Sequence, residues 1–406
     1  MLPFRPSLKY RAENKMSKKL GYGLISVGWM GRLHARSLGK LSDLYPELGA
    51  DIRFVIAADP VETARKLAVE SIGFESATAD YMDVINHPDV DIVSICSPNF
   101  LHHEIAMAAI AAGKDFWIEK PMGRNEIESR EIAEAAADKK LMTAVGFNYR
   151  HAPALMHARK MIKNGELGEI TNVHISFVAD YVNDPEGAFT WRFENKFAGS
   201  GVFGDLLSHG FDLAQFVVGD IDEVMAQSEI FIKERREAAA GASHFSKSAD
   251  GALRKVENED YASGMLKFKN GARGTFESSR IAVGPSVEYS IEVRGSNGTI
   301  RWNFERLNEL EVATRNSDIY GFTRRLAGPG DGEYAAFQPG RGLPMGFDDL
   351  KTIEAALFVK SVLTREQVAP SVADCYSAAQ ITAAAKKSIE TGTWQKVLSV
   401  SSHRSH

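Results

Sequence analysis

The run Tyr22-Gly23-Leu24-Ile25-Ser26-Val27-Gly28-Trp29-Met30-Gly31 is an apolar strand pattern that breaks into small residues and reopens as a helix at about Trp29. Ser26, Gly28 and Gly31 stand where a GxGxxG turn carries its glycines, with serine in the first place. Such a turn works by bringing backbone close to phosphate. Gly28 lets a pyrophosphate sit against the free N–H groups of the helix start, and Gly31 permits close packing of helix on strand. Trp29 and Met30 lie between them on the same phosphate-facing turn. A second strand, residues 52–58, ends at Asp59. Its carboxylate is suited to accept hydrogen bonds from an adenosine ribose and would repel a 2′-phosphate, so NAD is favoured and NADP stays possible. Asp59 ahead of Pro60 is equally suited to cap the next helix, and the two roles are compatible.

The alternation continues through apolar runs at residues 92–96, 115–118 and 141–146, each separated by a helical pattern. Strands alternating with helices predict an α/β domain over residues 19–148, a Rossmann doubly wound parallel sheet. After a helix near 154–164 the pattern changes to period two, at 170–178, 224–232, 261–269, 272–280, 287–294 and 298–302. Turn signals at Asn270-Gly271 and Asn297-Gly298 join some of these runs as hairpins. Residues 149–398 therefore read as an α+β domain with an open-faced, mostly antiparallel sheet, closed by helices near 348–364 and 372–391. Residues 233–255 look like an exposed insertion with no assigned role, and the glycine-rich stretch 327–345 borders either a site or an interface.

The chain has 406 residues, enough for two domains with cores of their own. A net charge of −5 gives no reason to expect nucleic acid or an anionic membrane as partner. Cys96 and Cys375 are isolated, without metal-ligand spacing, which suits a reducing cytoplasmic setting and predicts no metal site. No apolar run has the length of a membrane span. Residues 1–18 read as a basic tail with a second methionine at Met16, and residues 399–406 as a polar tail.

Downstream, Asp205, Ser208, His209 and Asp212 fall at i, i+3, i+4 and i+7 in an otherwise apolar helical pattern. They are expected to share one face, with His209 between carboxylates and titrating near neutrality as a general base.

With these residues stand three further motifs: Cys96-Ser97-Pro98-Asn99-Phe100-Leu101-His102, Glu119-Lys120-Pro121 and Gly146-Phe147-Asn148-Tyr149-Arg150. Together they resemble the Gfo/Idh/MocA oxidoreductases, from about Gly21 to Val397. The resemblance implies Lys120, Asp205 and His209 as the catalytic set, with Asp212 on a position that often contacts substrate in the inositol dehydrogenase branch. It implies cofactor contacts at Ser97, Pro98, Asn99, His102, Glu119 and Lys120. Asn148 and Arg150 are candidates to reach the substrate cleft or to act as a hinge. Trp191-Arg192 resembles a pair common in sugar and cyclitol members, whose planar arginine is a candidate either to hold substrate hydroxyls or to brace the loop.

The implied chemistry is NAD-dependent oxidation of a secondary hydroxyl of a cyclic polyol or sugar, such as an inositol, an aldose or an anhydrosugar. His209 would take the proton with Asp205 orienting it, and Lys120 would stabilise the alkoxide. Reduction of a ketosugar or imine, an NAD-assisted glycosidase and a nucleotide-sensing regulator are the alternatives. An open sheet face leaves apolar surface to cover, so a homodimer or homotetramer is expected.

Overall fold

The computed structural model describes residues 17–237, 247, 250–315, 318 and 320–398. Most of the expected N-terminal tail, the C-terminal tail and the centre of the 233–255 insertion lie outside the described residues. Six strands form the first sheet: β1 (Lys18–Ile25), β2 (Ala50–Ala58), β3 (Ser76–Thr78), β4 (Ile92–Ile95), β5 (Asp115–Ile118) and β6 (Thr143–Val145). They run in the order β3-β2-β1-β4-β5-β6, all parallel. Every residue of β4, β5 and β6 is buried, as expected where helices cover both faces. The strand order reverses between β1 and β4, and the crevice at such a reversal is where doubly wound sheets bind ligands. The Ser26–Gly31 turn follows β1, and Ser97-Pro98-Asn99 follows β4, so both motifs flank that crevice.

One boundary differs from the sequence reading. The helix Phe347–Thr364, expected in the second domain, sends Ala355, Phe358, Val359 and Val362 into the core of the first, beside Leu20, Tyr22 and Trp117. Beyond it, Pro370 O accepts the Val145 N–H, and the Gln367 amide bonds both the N–H and the carbonyl of Thr143. The late chain thus covers the edge that β6 would leave unpaired.

The second domain carries β7 (Ile170–Ala179), β8 (Ile221–Glu229), β9 (Glu234–Arg236), β10 (Leu253–Lys255), β11 (Tyr261–Phe268), β12 (Arg273–Ser279), β13 (Val287–Gly295), β14 (Gly298–Asn303), β15 (Glu309–Thr314), β16 (Thr323–Leu326) and β17 (Gln395–Lys396). Nine of them form one sheet, β16-β15-β14-β13-β7-β12-β11-β8-β17, antiparallel except where β7 meets β12. β9 and β10 pair separately as a short ribbon. The helices Pro153–Lys163, Ser208–Val217 and Val372–Thr391 bury one face of the large sheet through residues such as Leu155, Phe211 and Ile381. The other face carries His174, Thr275, Glu292 and Arg294, with His174 bonded to Thr275 at 2.8 Å. That face is more polar than expected, because polar and charged side chains occupy its alternating positions. No helix among the described residues is long and apolar enough to cross a membrane.

Candidate active site

β5 delivers Glu119-Lys120-Pro121 to the C-terminal end of the first sheet, and the Lys120–Pro121 bond is cis. Lys120 Nζ donates to Asp205 Oδ1 at 2.9 Å and to the Asp205 carbonyl at 2.8 Å. The other oxygen of Asp205 accepts from the Tyr181 hydroxyl at 2.5 Å. The contact therefore joins the two domains through a single carboxylate. Burial alone would raise the Asp205 carboxyl, but the Lys120 and Arg192 cations and the Tyr181 hydroxyl together hold it well below the usual range.

Asp205 lies in a wider π turn, Phe203–Leu207, that leads into the regular helix Ser208–Val217. That extra width breaks the single polar face expected from the spacing. Ser208 Oγ turns back to the Gly204 carbonyl at 2.7 Å. Asp212 is drawn into a buried ion cluster in which Arg150 bonds both Asp212 oxygens and also Asp374, the last at 2.9 Å. Arg150, expected either in the cleft or as a hinge, and Asp212, expected at the substrate, here tie their segments to the helix Val372–Thr391. The Asp205 carboxylate is likewise engaged by Lys120 and Tyr181, not by His209.

His209 is 6% exposed, with Tyr149 edge-on at 4.8 Å and Phe147 and Phe177 beside it. Its carbonyl accepts from Tyr289 at 2.7 Å, which fixes the backbone beneath the ring. Among the described residues no side chain bonds its ring nitrogens. Burial first, then the neighbouring Lys120 cation, push its pKa well below the ordinary value, so the imidazole is neutral. The expectation of titration near neutrality is corrected accordingly.

Several expected contact residues serve the framework. Glu119 bonds His34 at 3.0 Å and Lys351 at 2.5 Å, and Lys351 also bonds Glu354 at 2.9 Å. Burial would raise the Glu119 carboxyl, but Lys351 and His34 outweigh it and keep Glu119 ionised. His102 lies between two carbonyls, its Nδ1 2.8 Å from Pro121 O and its Nε2 2.7 Å from Ser97 O, and its one ring N–H donates to either of them, in the loop after β5 or the loop after β4. Asn148 is buried at 1% exposure, and its Nδ2 has no hydrogen-bond partner among the described residues. Pro98 and Asn99 begin the helix that ends at Ala111 and remain half-buried. Trp191 meets Phe100 at 5.7 Å and carries Arg192 over its ring at 4.4 Å. The half-buried Arg192 acts electrostatically on both Asp205 and Tyr181, and its guanidinium has no hydrogen-bond partner among the described residues.

The nucleotide turn fits a dinucleotide. Ser26 adopts φ 73°, and a Cβ at Gly31 would lie 1.9 Å from the Ser26 carbonyl, so only glycine permits this approach. The helix Trp29–Gly39 has no side-chain cap and no acidic residue in its first turn, leaving its N–H groups for a phosphate. Asp59 does not cap the next helix, whose cap is Val61. Its carboxylate instead accepts from Val27 N at 2.8 Å and Val61 N at 2.9 Å, so it braces the turn while keeping lone pairs for a ribose. Met30 is half-buried, and Trp29 stacks on Phe347 with ring centroids 5.9 Å apart.

Two family models match this chain. One is described as the oxidoreductase family with an NAD-binding Rossmann fold and covers residues 20–147; the other, the GFO/IDH/MocA C-terminal domain, covers residues 155–301. The chain belongs to the GFO/IDH/MocA oxidoreductases. Among its relatives, levoglucosan dehydrogenase of Pseudarthrobacter phenanthrenivorans is 35% identical over 389 residues, 95% of this chain and 100% of that protein. Inositol 2-dehydrogenase of Rhizobium meliloti is 27% identical over 86% of this chain and 98% of its own length. A solved levoglucosan dehydrogenase in complex with NADH and levoglucosan matches with a TM-score of 0.88 at 33% identity, over 94% of this chain and 100% of that one. This GFO/IDH/MocA member is thus an NAD-binding oxidoreductase. The motifs missed two of its site-forming residues: Tyr181, which lies in no motif, and Lys351, whose only signal was a lysine within an apolar helical run.

Proposed function

We propose that this enzyme oxidises a secondary hydroxyl of a cyclic sugar or polyol with NAD, and that an anhydrosugar of the levoglucosan type is its substrate. The observation that carries this reading is a neutral, buried His209 beside a Lys120 ammonium anchored by Asp205. Bound NAD supplies the hydride acceptor. The substrate hydroxyl proton passes to a His209 ring nitrogen, and Lys120 Nζ donates to the oxygen as alkoxide charge develops. Asp205, fixed by Tyr181, holds Lys120 in place for that donation. Arg192 and Trp191 offer a planar cation and an aromatic edge for the remaining hydroxyls and ring carbons.

The test is absorbance at the reduced-nicotinamide band with NAD or NADP and a panel of 1,6-anhydrosugars, aldoses and inositols. Reduction of NAD with an anhydrosugar is the expected result. Silence across the whole panel would contradict the proposal.

A further inference from the structure

The β9–β10 ribbon, part of the insertion to which the sequence reading gave no role, grips the chain that carries Tyr181, Trp191 and Arg192. Arg235, the middle residue of β9, is 1% exposed despite its permanent charge. A guanidinium is buried at high cost unless its N–H groups find acceptors. Here Nη1 donates to the Asp184 carbonyl at 2.7 Å and the Gly187 carbonyl at 3.3 Å, and Nη2 to the Val182 carbonyl at 2.5 Å. The group lies over the Phe193 ring at 4.6 Å. A Cβ at Gly187 would stand 2.7 Å from Nη1 and 2.9 Å from the Asp184 carbonyl, so the glycine leaves room for both.

The backbone adds to this attachment. Phe189 N donates to the Arg236 carbonyl at 2.7 Å, and Glu257 N to the Phe193 carbonyl at 2.9 Å. Val182, Phe189, Phe193 and Val256 form a small core of their own between the two segments. One end of the gripped chain is Tyr181, bonded to Asp205; the other is Arg192, whose charge acts on the same carboxylate. We propose that Arg235 is a positioning residue that sets the geometry of the 181–193 segment, and through it the affinity and selectivity for the sugar or polyol. This rests on the proposed function, in which that segment lines the substrate side of the cleft.

The test uses the full chain carrying Arg235→Gln, Arg235→Lys or Arg254→Ala. Arg254 is a surface residue of β10 that bonds Glu194 at 3.3 Å and lies over Phe189, so its loss loosens the same attachment from outside. Steady-state constants for the best wild-type substrate, NADH affinity by fluorescence, and Tm are measured together. Displacement of positioning groups changes catalysis on the order of 10–100-fold, so Arg235→Gln should raise the substrate KM by about that factor with NADH affinity kept. Arg235→Lys should fall between, and Arg254→Ala should move KM the same way by roughly twofold, as befits an exposed ion pair. An unchanged KM in Arg235→Gln overturns the inference. So does a loss of folding in both Arg235 variants while Arg254→Ala leaves KM untouched. A wild type inactive on every sugar and polyol defeats the proposed function and this inference together; an active wild type with unmoved KM defeats this inference alone.

Discussion

His209 sits among the rings of Phe147, Tyr149, Phe177 and Tyr289 and beside the Lys120 ammonium, and both burial and charge favour its neutral form. A base that must be neutral to act keeps working until the pH falls to its own pKa. The acid limb of kcat/KM should therefore lie below the ordinary histidine value of 6.5, with activity level through that pH. A limb centred at or above it, in a pH–rate profile on saturating NAD, would contradict the assignment. Lys120, Asp205 and His209 were legible as a motif, yet their partners were not. One π turn redirects Asp205, and Arg150, 62 residues from Asp212 in sequence, removes Asp212 from the stripe. Periodicity assumes a regular helix and cannot register either effect.

The helix Phe347–Thr364 brings Lys351 and Glu354 under the sheet, where Glu354 also accepts from the Trp117 indole at 2.8 Å. Burial, with Glu119 nearby, pushes the Glu354 carboxyl up to about 7. Its folded value lies above its ordinary 4.5, so its contribution to stability is full below 4.5 and is lost as pH rises through about 7. Glu354→Gln cannot ionise, so its Tm relative to wild type should rise between about pH 5 and about pH 8. A difference that is flat or falls, in parallel thermal melts, would show that Glu354 does not titrate in this window. The same helix marks the limit of reading elements from sequence. Its span was legible within one residue, because apolar residues fill it between Phe347 and Thr364. Its destination was not, since a helix buried on most sides carries no one-sided stripe to indicate which sheet it covers. β15, β16 and the β9–β10 ribbon were missed for a related reason, being short and rich in charged residues.

At the level of the whole chain, the parallel sheet brings Lys120 and the nucleotide turn to one crevice, and the mixed sheet backs the helix that carries Asp205 and His209. Neither domain contains the site alone: the Lys120–Asp205 bond spans 85 residues of sequence and the boundary between the domains. Both sheets were legible in outline from the change of hydrophobic period, but the polar character of the open face was not anticipated. In the proposed reaction Lys120 acts on the reacting oxygen while the turn at Gly28 and Gly31 binds the nucleotide independently. The most direct measurement is therefore Lys120→Ala compared with wild type for NADH affinity and for NAD-dependent turnover of the best substrate. The predicted result is affinity within about threefold of wild type and turnover lower by on the order of 10²–10⁴. Turnover at the wild-type rate would contradict it.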